Sequence, residues 1–189
     1  KDTTVYIYVF RNTENPNDQY VERVVYKEME GVDHFFISRY TMKMEPVSTM
    51  TYWVIDNNIE LVKANIMVGR VSYESKITAS QFFPENQSLV AKISYDYPLN
   101  DSLINVIEMN RKFERLDTLV EGDIKTPVLI FNDSLRLSLV DIKNKQHQQT
   151  PAFMQTYFGK GIGKVLERND SRTYRLIVRT TADDFAKIR

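Results

Sequence analysis

Apolar and polar side chains alternate with a period of two along most of this chain, which is the pattern of β-strands with one buried face. The first such segment, residues 5–10, sets three aliphatic side chains against three aromatic ones. Further strands are predicted for residues 20–29, 34–42, 51–56, 60–68, 71–82, 89–97, 128–131, 135–142, 155–158, 165–168 and 174–180. Turn signals such as Gly69-Arg70, Pro84-Glu85-Asn86 and Asn132-Asp133-Ser134 separate them.

Three segments allow a second interpretation. Residues 20–29 could form a helix, because Val21, Val25 and Met29 lie four apart, but the Glu30–Asp33 turn that follows favours a hairpin of strands. Residues 101–116 are predicted as a strand, and a helix capped by Asp101 is the alternative. Residues 182–189 could be a final helical turn or a loose tail.

About ten to twelve strands with no obligate crossover helices predict one antiparallel sheet. A sheet of this size curls on itself to protect its edges. We therefore predict a mainly β protein with a single curved antiparallel sheet, a half-barrel or open barrel, and one β-rich domain over residues 1–189.

Composition removes several functions. Lysine plus arginine equals aspartate plus glutamate at 25 each, so no net charge attracts a nucleic acid. The chain has no cysteine, which excludes a disulfide framework, a thiolate metal site and a cysteine nucleophile. No apolar run approaches the roughly 20 residues that a membrane-spanning helix needs.

Glycine spacing predicts a tight turn near the C-terminus. Three of the six glycines, Gly159, Gly161 and Gly163, stand at alternate positions before a new strand. A phosphate-binding loop would need Gly-Lys-Ser/Thr five residues after its first glycine, and a helix to follow; this segment has neither. We therefore predict a structural turn, in which glycine permits a positive φ or a close backbone approach.

No catalytic or metal-binding pattern is present. The two histidines, His34 and His147, lie far apart in sequence, and no paired His motif or nucleophile elbow occurs. We expect no cofactor, no metal and no catalytic residue. The remaining candidates are aromatic: Tyr52, Trp53, Tyr73 and Tyr95 could bind a ligand by lining a cavity or forming a stacking surface, or could simply pack in the core.

Several segments together resemble a type of secreted Bacteroidetes lipoprotein. These are TYWVID, FFPEN, a VEGD hairpin continuing through IFNDSLRLSLVD, TYFGKGIGKVLER and TYRLIV. The residues at matching places are Gly122, Phe131, Leu135, Thr156, Tyr157, Lys160, Gly161, Gly163 and Val165. The resemblance is strongest over about the last 70 residues, and Gly159 stands where the pattern has an alanine.

The resemblance implies a fold similar to the lipoprotein-carrier half-barrel, a sheet curved round an apolar cavity that a short helix often plugs. It also implies a location in the cell envelope, in the periplasm or at the outer membrane surface. A lipid or other apolar small molecule is the implied partner, and membrane attachment is expected only through a lipid anchor upstream of Lys1.

Three functional hypotheses follow. The first is a non-enzymatic envelope lipoprotein that binds or carries an apolar ligand in the concave face of the sheet. The second is a surface module that binds a glycan or a partner protein through exposed aromatic side chains. The third is a hydrolase, which would need acidic side chains clustered in one cleft with shifted pKa values.

Overall fold

Strands make up most of the chain, as the alternating pattern predicts. A computed structural model describes residues 3–55, 58–121 and 123–188. Gly122 of the resemblance and the Asp56 end of the predicted strand 51–56 lie outside the described residues. The strands are β1 (Thr4–Asn12), β2 (Gln19–Met29), β3 (Val32–Thr41), β4 (Pro46–Ile55), β5 (Asn58–Val68), β6 (Val71–Glu74), β7 (Lys76–Ser80), β8 (Val90–Pro98), β9 (Leu103–Glu121), β10 (Ile124–Asp141), β11 (Gln146–Gly159), β12 (Gly163–Asn169) and β13 (Thr173–Thr181).

All thirteen strands belong to one antiparallel sheet, in the order β6-β5-β4-β3-β2-β1-β13-β12-β11-β10-β9-β8-β7. The two ends of the sheet approach each other, because β5, the neighbour of the short edge strand β6, contacts β7 and the residues that follow it. A bridge joins Glu60 and Gln81, and the Phe82 amide donates a 2.8 Å hydrogen bond to the Ile59 carbonyl. The sheet is therefore a nearly closed barrel with one seam, which confirms the predicted fold class.

Several predicted boundaries are wrong, and two of the errors change how the strands are divided. Residues 71–82 form two strands, which separate at the buried Ser75. Residues 128–131 and 135–142 belong to one strand, β10, which continues through the expected Asn132-Asp133-Ser134 turn. From Leu103 onward the segment 101–116 is a strand and forms the first part of β9, so its helical alternative is wrong.

Bulges give the strands the local bends that a barrel requires, because an extra residue on one strand increases twist and curvature. Register shifts occur between Val9 and Phe10, Arg39 and Tyr40, Thr51 and Tyr52, Ile77 and Ala79, Ile130 and Phe131, and Tyr157 and Phe158. They are distributed around the whole sheet, so the curvature is continuous.

The helix α1 (Ala182–Ile188) lies outside the barrel. Its residues Ala182 and Phe185 pack against a buried cluster that contains Ile7, Val9 and Val21. The alternate residues of the same strands, such as Tyr6 and Glu22, point into the barrel, and successive side chains of a strand face opposite sides. The helix therefore covers the outer face and does not plug the interior.

The turn between β11 and β12 contains the glycines singled out in the sequence. Gly161 and Gly163 have φ values of 69° and 94°, which disfavour residues with a Cβ atom. Gly159 has ordinary φ, but a Cβ there would lie 3.1 Å from Val165 and 3.2 Å from Thr126. The turn is tied to the barrel wall by the Tyr8 hydroxyl, which donates to the Ile162 carbonyl at 2.7 Å.

Replacing Gly163 with alanine should lower the free energy of unfolding by about 1–2 kcal/mol, the cost of a left-handed conformation for a residue with a Cβ. Lys160→Ala, at an exposed position of the same turn, is the control and should change stability by less than about 0.5 kcal/mol. Urea denaturation measures both. Equal effects of the two substitutions would contradict the conformational argument.

Candidate functional site

The barrel encloses a cavity of about 890 Å³. Inward-facing residues of β1 to β5 and β8 to β13 line it, and most of these side chains are aliphatic or aromatic. Leu61 and Ile93 anchor its buried wall, where Tyr52 and Ala64 complete a hydrophobic cluster. The cavity is therefore a product of the period-two pattern, whose inward set is largely apolar.

The four aromatic candidates separate into different environments. Tyr52 and Tyr95 line the cavity, and the Tyr52 ring stacks on Phe35 with centroids 4.7 Å apart. Trp53 follows Tyr52 in β4, so it points outward, where it is 40% exposed. Tyr73 lies on β6 opposite Ile66 and does not line the cavity. Whether any of them binds a ligand stays a prediction.

The hydroxyls of Tyr52 and Tyr95 are uncharged at neutral pH. Burial raises the pKa of Tyr95 to about 12 and also raises the pKa of Tyr52 above its usual value. A neutral phenol adds little penalty to an apolar ligand beside it, and it can still donate one hydrogen bond.

Phenylalanines from the link between β7 and β8 form one end of the cavity. Phe82 contacts the Tyr52 ring at 4.9 Å, and Phe83 packs between Phe131 at 5.2 Å and Phe158 at 5.1 Å. The sequence pattern predicted the end of a strand at Phe82 and a turn at Pro84-Glu85-Asn86. The residues before Pro84 fold inward and close this end of the barrel with aromatic rings.

A buried ion pair lies beneath these rings. Arg111 donates from Nε and Nη2 to the two carboxylate oxygens of Asp133, at 2.7 and 2.8 Å, and the Thr156 hydroxyl donates to the same carboxylate at 2.7 Å. The guanidinium lies 4.5 Å from the Phe82 ring centroid and 5.2 Å from that of Phe158. Arg111 and Asp133 are only 3% and 1% exposed, so the pair is removed from solvent.

A second cluster of charges lies on β2, β3 and β12. Glu22 accepts hydrogen bonds from Arg39 at 2.9 Å and from Lys164 at 2.8 Å, and Glu167 lies 3.3 Å from Lys164. Burial alone would raise the pKa of Glu22, but Lys164 and Arg39 outweigh it and hold that pKa below its usual range. Burial opposes the charge on Lys164 as well, yet Glu22 raises the pKa of this lysine.

These buried charges are hard to find in the sequence because each one occurs within an otherwise regular strand pattern. On the inward face, where residues are two positions apart, Glu22 has Tyr20 and Val24 as neighbours. Arg111 has Met109 and Phe113. Asp133 likewise has apolar residues two positions away on both sides. The signal that could have found them is a charged residue at one of the alternate strand positions that face inward, because such a charge must be paired inside the barrel.

The chemistry of the site does not favour acid–base catalysis. Among the described residues, the carboxylates that line the cavity are Glu22 and Glu167, and both are paired with cations. The lowered pKa of Glu22 is the opposite of what a general acid at neutral pH needs. Within the described ranges, no group of three or more His, Asp or Glu side chains could hold a metal ion. His34 is buried and its Nδ1 lies 2.9 Å from the Val32 carbonyl, whereas His147 is exposed on β11.

In residues 3–55, 58–121 and 123–188, no helix has the length and apolar character needed to cross a membrane.

A solved structure shares this architecture. The crystal structure at 2.70 Å of "a putative lipoprotein from Parabacteroides distasonis ATCC 8503" superposes with a TM-score of 0.61 at 9% sequence identity. The match covers 95% of this chain and 96% of that one. No family model and no curated protein matches the chain. At this identity the likeness establishes a shared β fold over the full length, and the function has to be argued from the cavity.

Proposed function

We propose that this protein is a lipoprotein of the bacterial cell envelope whose barrel binds an apolar, lipid-like molecule. The observation that carries the ligand half is the cavity of about 890 Å³ with a largely aliphatic and aromatic wall. Its volume lies within the roughly 300–1,000 Å³ typical of small-molecule sites. An apolar molecule placed there would remove both its own surface and the cavity wall from water.

The envelope half of the proposal rests on the shared fold and on the sequence resemblance. The Parabacteroides protein with this fold is described as a putative lipoprotein, and the C-terminal motifs resemble secreted lipoproteins of the same phylum. Metabolic labelling of the full gene product with an alkyne fatty acid, followed by cell fractionation, tests this half. We expect label on the protein in the envelope fraction; an unlabelled protein in the cytoplasm would remove the proposal.

Native mass spectrometry of gently purified protein tests for a ligand taken up during expression. We expect extra mass that disappears on denaturation and that matches a lipid. A bare protein that also fails to take up the neutral fluorophore N-phenyl-1-naphthylamine after delipidation would argue against the ligand half.

Val24→Trp should weaken binding of this neutral fluorophore by about tenfold or more, because the larger ring would occupy the space that Val24 lines. Val25→Trp is the matched control, since Val25 is the next residue of β2 and points to the opposite face. Fluorescence titration measures both variants. Equal losses of affinity would show that the probe does not bind inside the barrel.

One observation favours the surface-module hypothesis as a second candidate. Trp53 is 40% exposed on the outer face, with the His34 ring edge-on at 5.6 Å. Glycan-array binding that Trp53→Ala abolishes, while uptake of the neutral fluorophore is unchanged, would support this candidate. The absence of any glycan or protein partner that depends on Trp53 would exclude it.

A further inference from the structure

The wall of the cavity is interrupted beside β13. β12 and β13 pair only at Leu166–Arg175, Glu167–Tyr174 and Arg168–Thr173, so the C-terminal part of β13 has ladder partners on the β1 side alone. Across this interruption lies the β11–β12 turn, whose exposed Gly161 and Gly163 line the cavity. No ladder of backbone hydrogen bonds therefore closes the wall between this turn and the end of β13, and the hydrogen bond from the Tyr8 hydroxyl to the Ile162 carbonyl crosses the gap.

Arg179 lies on that part of β13 and lines the cavity. Its guanidinium carbon is 4.5 Å from the centroid of the Tyr6 ring and 6.0 Å from that of Tyr8. The residue as a whole is exposed, unlike the buried Arg111 at the other end. Its charge therefore stands where an apolar cavity meets water, with tyrosine rings holding the side chain in place.

The charges of the cavity do not balance at this point. Among the described residues, the cations that line the cavity are Arg39, Arg111, Lys164 and Arg179, and the carboxylates that line it or pair with these cations are Glu22, Asp133 and Glu167. The first three cations each have a carboxylate oxygen within 2.9 Å. Arg179 forms no ion pair with any carboxylate in the part of the chain that the structure describes, so one positive charge is left for a ligand.

We propose that the cavity binds a single-chain amphiphile with an anionic head, its chain inside the barrel and its carboxylate or phosphate on Arg179. This inference rests on the proposed ligand-binding function and adds the chemical class of the ligand. A guanidinium binds either head by charge-assisted hydrogen bonds in a bidentate geometry. The neutral end of the ligand faces the aromatic rings around Phe82, where no unpaired charge would have to be desolvated.

Competition against the neutral fluorophore N-phenyl-1-naphthylamine tests the proposal with palmitate and hexadecanol, which share a chain and differ in the charge of the head. We expect palmitate to bind the wild type about tenfold or more tightly than hexadecanol, the range of one hydrogen bond to a charged group. Arg179→Gln should remove this preference and leave hexadecanol binding unchanged. Arg23→Gln is the control, because Arg23 is an exposed residue of β2 opposite Ile7, on the outer face.

The outcomes distinguish a wrong anionic-head assignment from a failure of the proposed ligand-binding function. If hexadecanol and palmitate bind equally, or if Arg179→Gln keeps the preference, the anionic-head assignment is wrong and the cavity remains an apolar site. If neither compound nor the fluorophore binds, the proposed function itself fails. A parallel titration with hexadecyl phosphate distinguishes the two heads. Tighter binding than palmitate assigns a phosphate, and weaker binding assigns a carboxylate. Either result supports an anionic head if Arg179→Gln removes the preference over hexadecanol.

Discussion

Asp133→Asn should lower the free energy of unfolding by about 3–5 kcal/mol, because it breaks a buried ion pair. The asparagine keeps the shape of the side chain but leaves the Arg111 guanidinium as an uncompensated charge beneath phenylalanine rings. Apart from Asp133, the nearest oxygen acceptor for that guanidinium among the described residues is the Phe82 carbonyl at 3.5 Å. Urea denaturation monitored by circular dichroism measures the loss.

Two further variants separate the lost charge from lost packing. Thr156→Val removes one hydrogen bond to the carboxylate and should cost about 1.5–3 kcal/mol, because the ion pair itself stays intact. The double variant Arg111→Met with Asp133→Leu replaces both charges with apolar groups and should be more stable than Asp133→Asn alone. If the double variant is the less stable of the two, the cost comes from packing and not from the unpaired charge.

Glu22→Gln should cost about 3 kcal/mol at neutral pH, because Lys164 and Arg39 lose the carboxylate that both contact. Glu167 remains, at 3.3 Å from Lys164 and 3.8 Å from Arg39, so the loss is smaller than at Asp133. Glu108→Gln is the control: Glu108 pairs at 3.5 Å with Arg136, both side chains are well exposed, and the change should stay below about 0.5 kcal/mol.

The Glu22→Gln variant should also differ from the wild type in how its stability depends on pH. The folded pKa of Glu22 lies below its unfolded value near 4.5, so its contribution is fully present above pH 4.5 and is lost as the pH falls through the folded pKa. Stability of the wild type should therefore decrease more steeply below pH 4.5 than that of Glu22→Gln, and the two curves should converge in acid. Parallel curves from pH 7 to pH 3 would show that Glu22 is not the titrating group.

The period-two pattern is sufficient to predict the antiparallel sheet and most strand positions, because side-chain alternation is a property of each strand by itself. It fails at Asn132-Asp133-Ser134, where three turn-forming residues continue β10. The strand tolerates them because the inward Asp133 is neutralised by Arg111 on β9, 22 residues earlier. Arg111 can be recognised as the partner of Asp133 only from the register between β9 and β10, and the pattern along one strand does not reveal that register.

The candidate site is predicted in part for the same reason. Tyr52 and Tyr95 are aromatic residues of the predicted strands and do line the cavity, but Trp53 adjoins Tyr52 and cannot share its face of β4. Parity along β4 is by itself enough to separate these two side chains. The role of Arg179 depends on the pairing of β13 with β1 and on the short pairing of β13 with β12. Neither pairing can be predicted from the alternation along a single strand.

The strand order also constrains how the chain reaches its folded state. Strands β1 to β6 and β7 to β13 are two runs of neighbours along the chain, and each run can form by local hairpins. The pair that joins them, β1 with β13, is formed by the first and last strands of the chain, and the Tyr8–Ile162 hydrogen bond spans 154 positions. Contacts of such long range form late and slowly. Until β13 is available, one edge of β1 stays unpaired and open to association with other chains, so the last nine-residue strand protects the first.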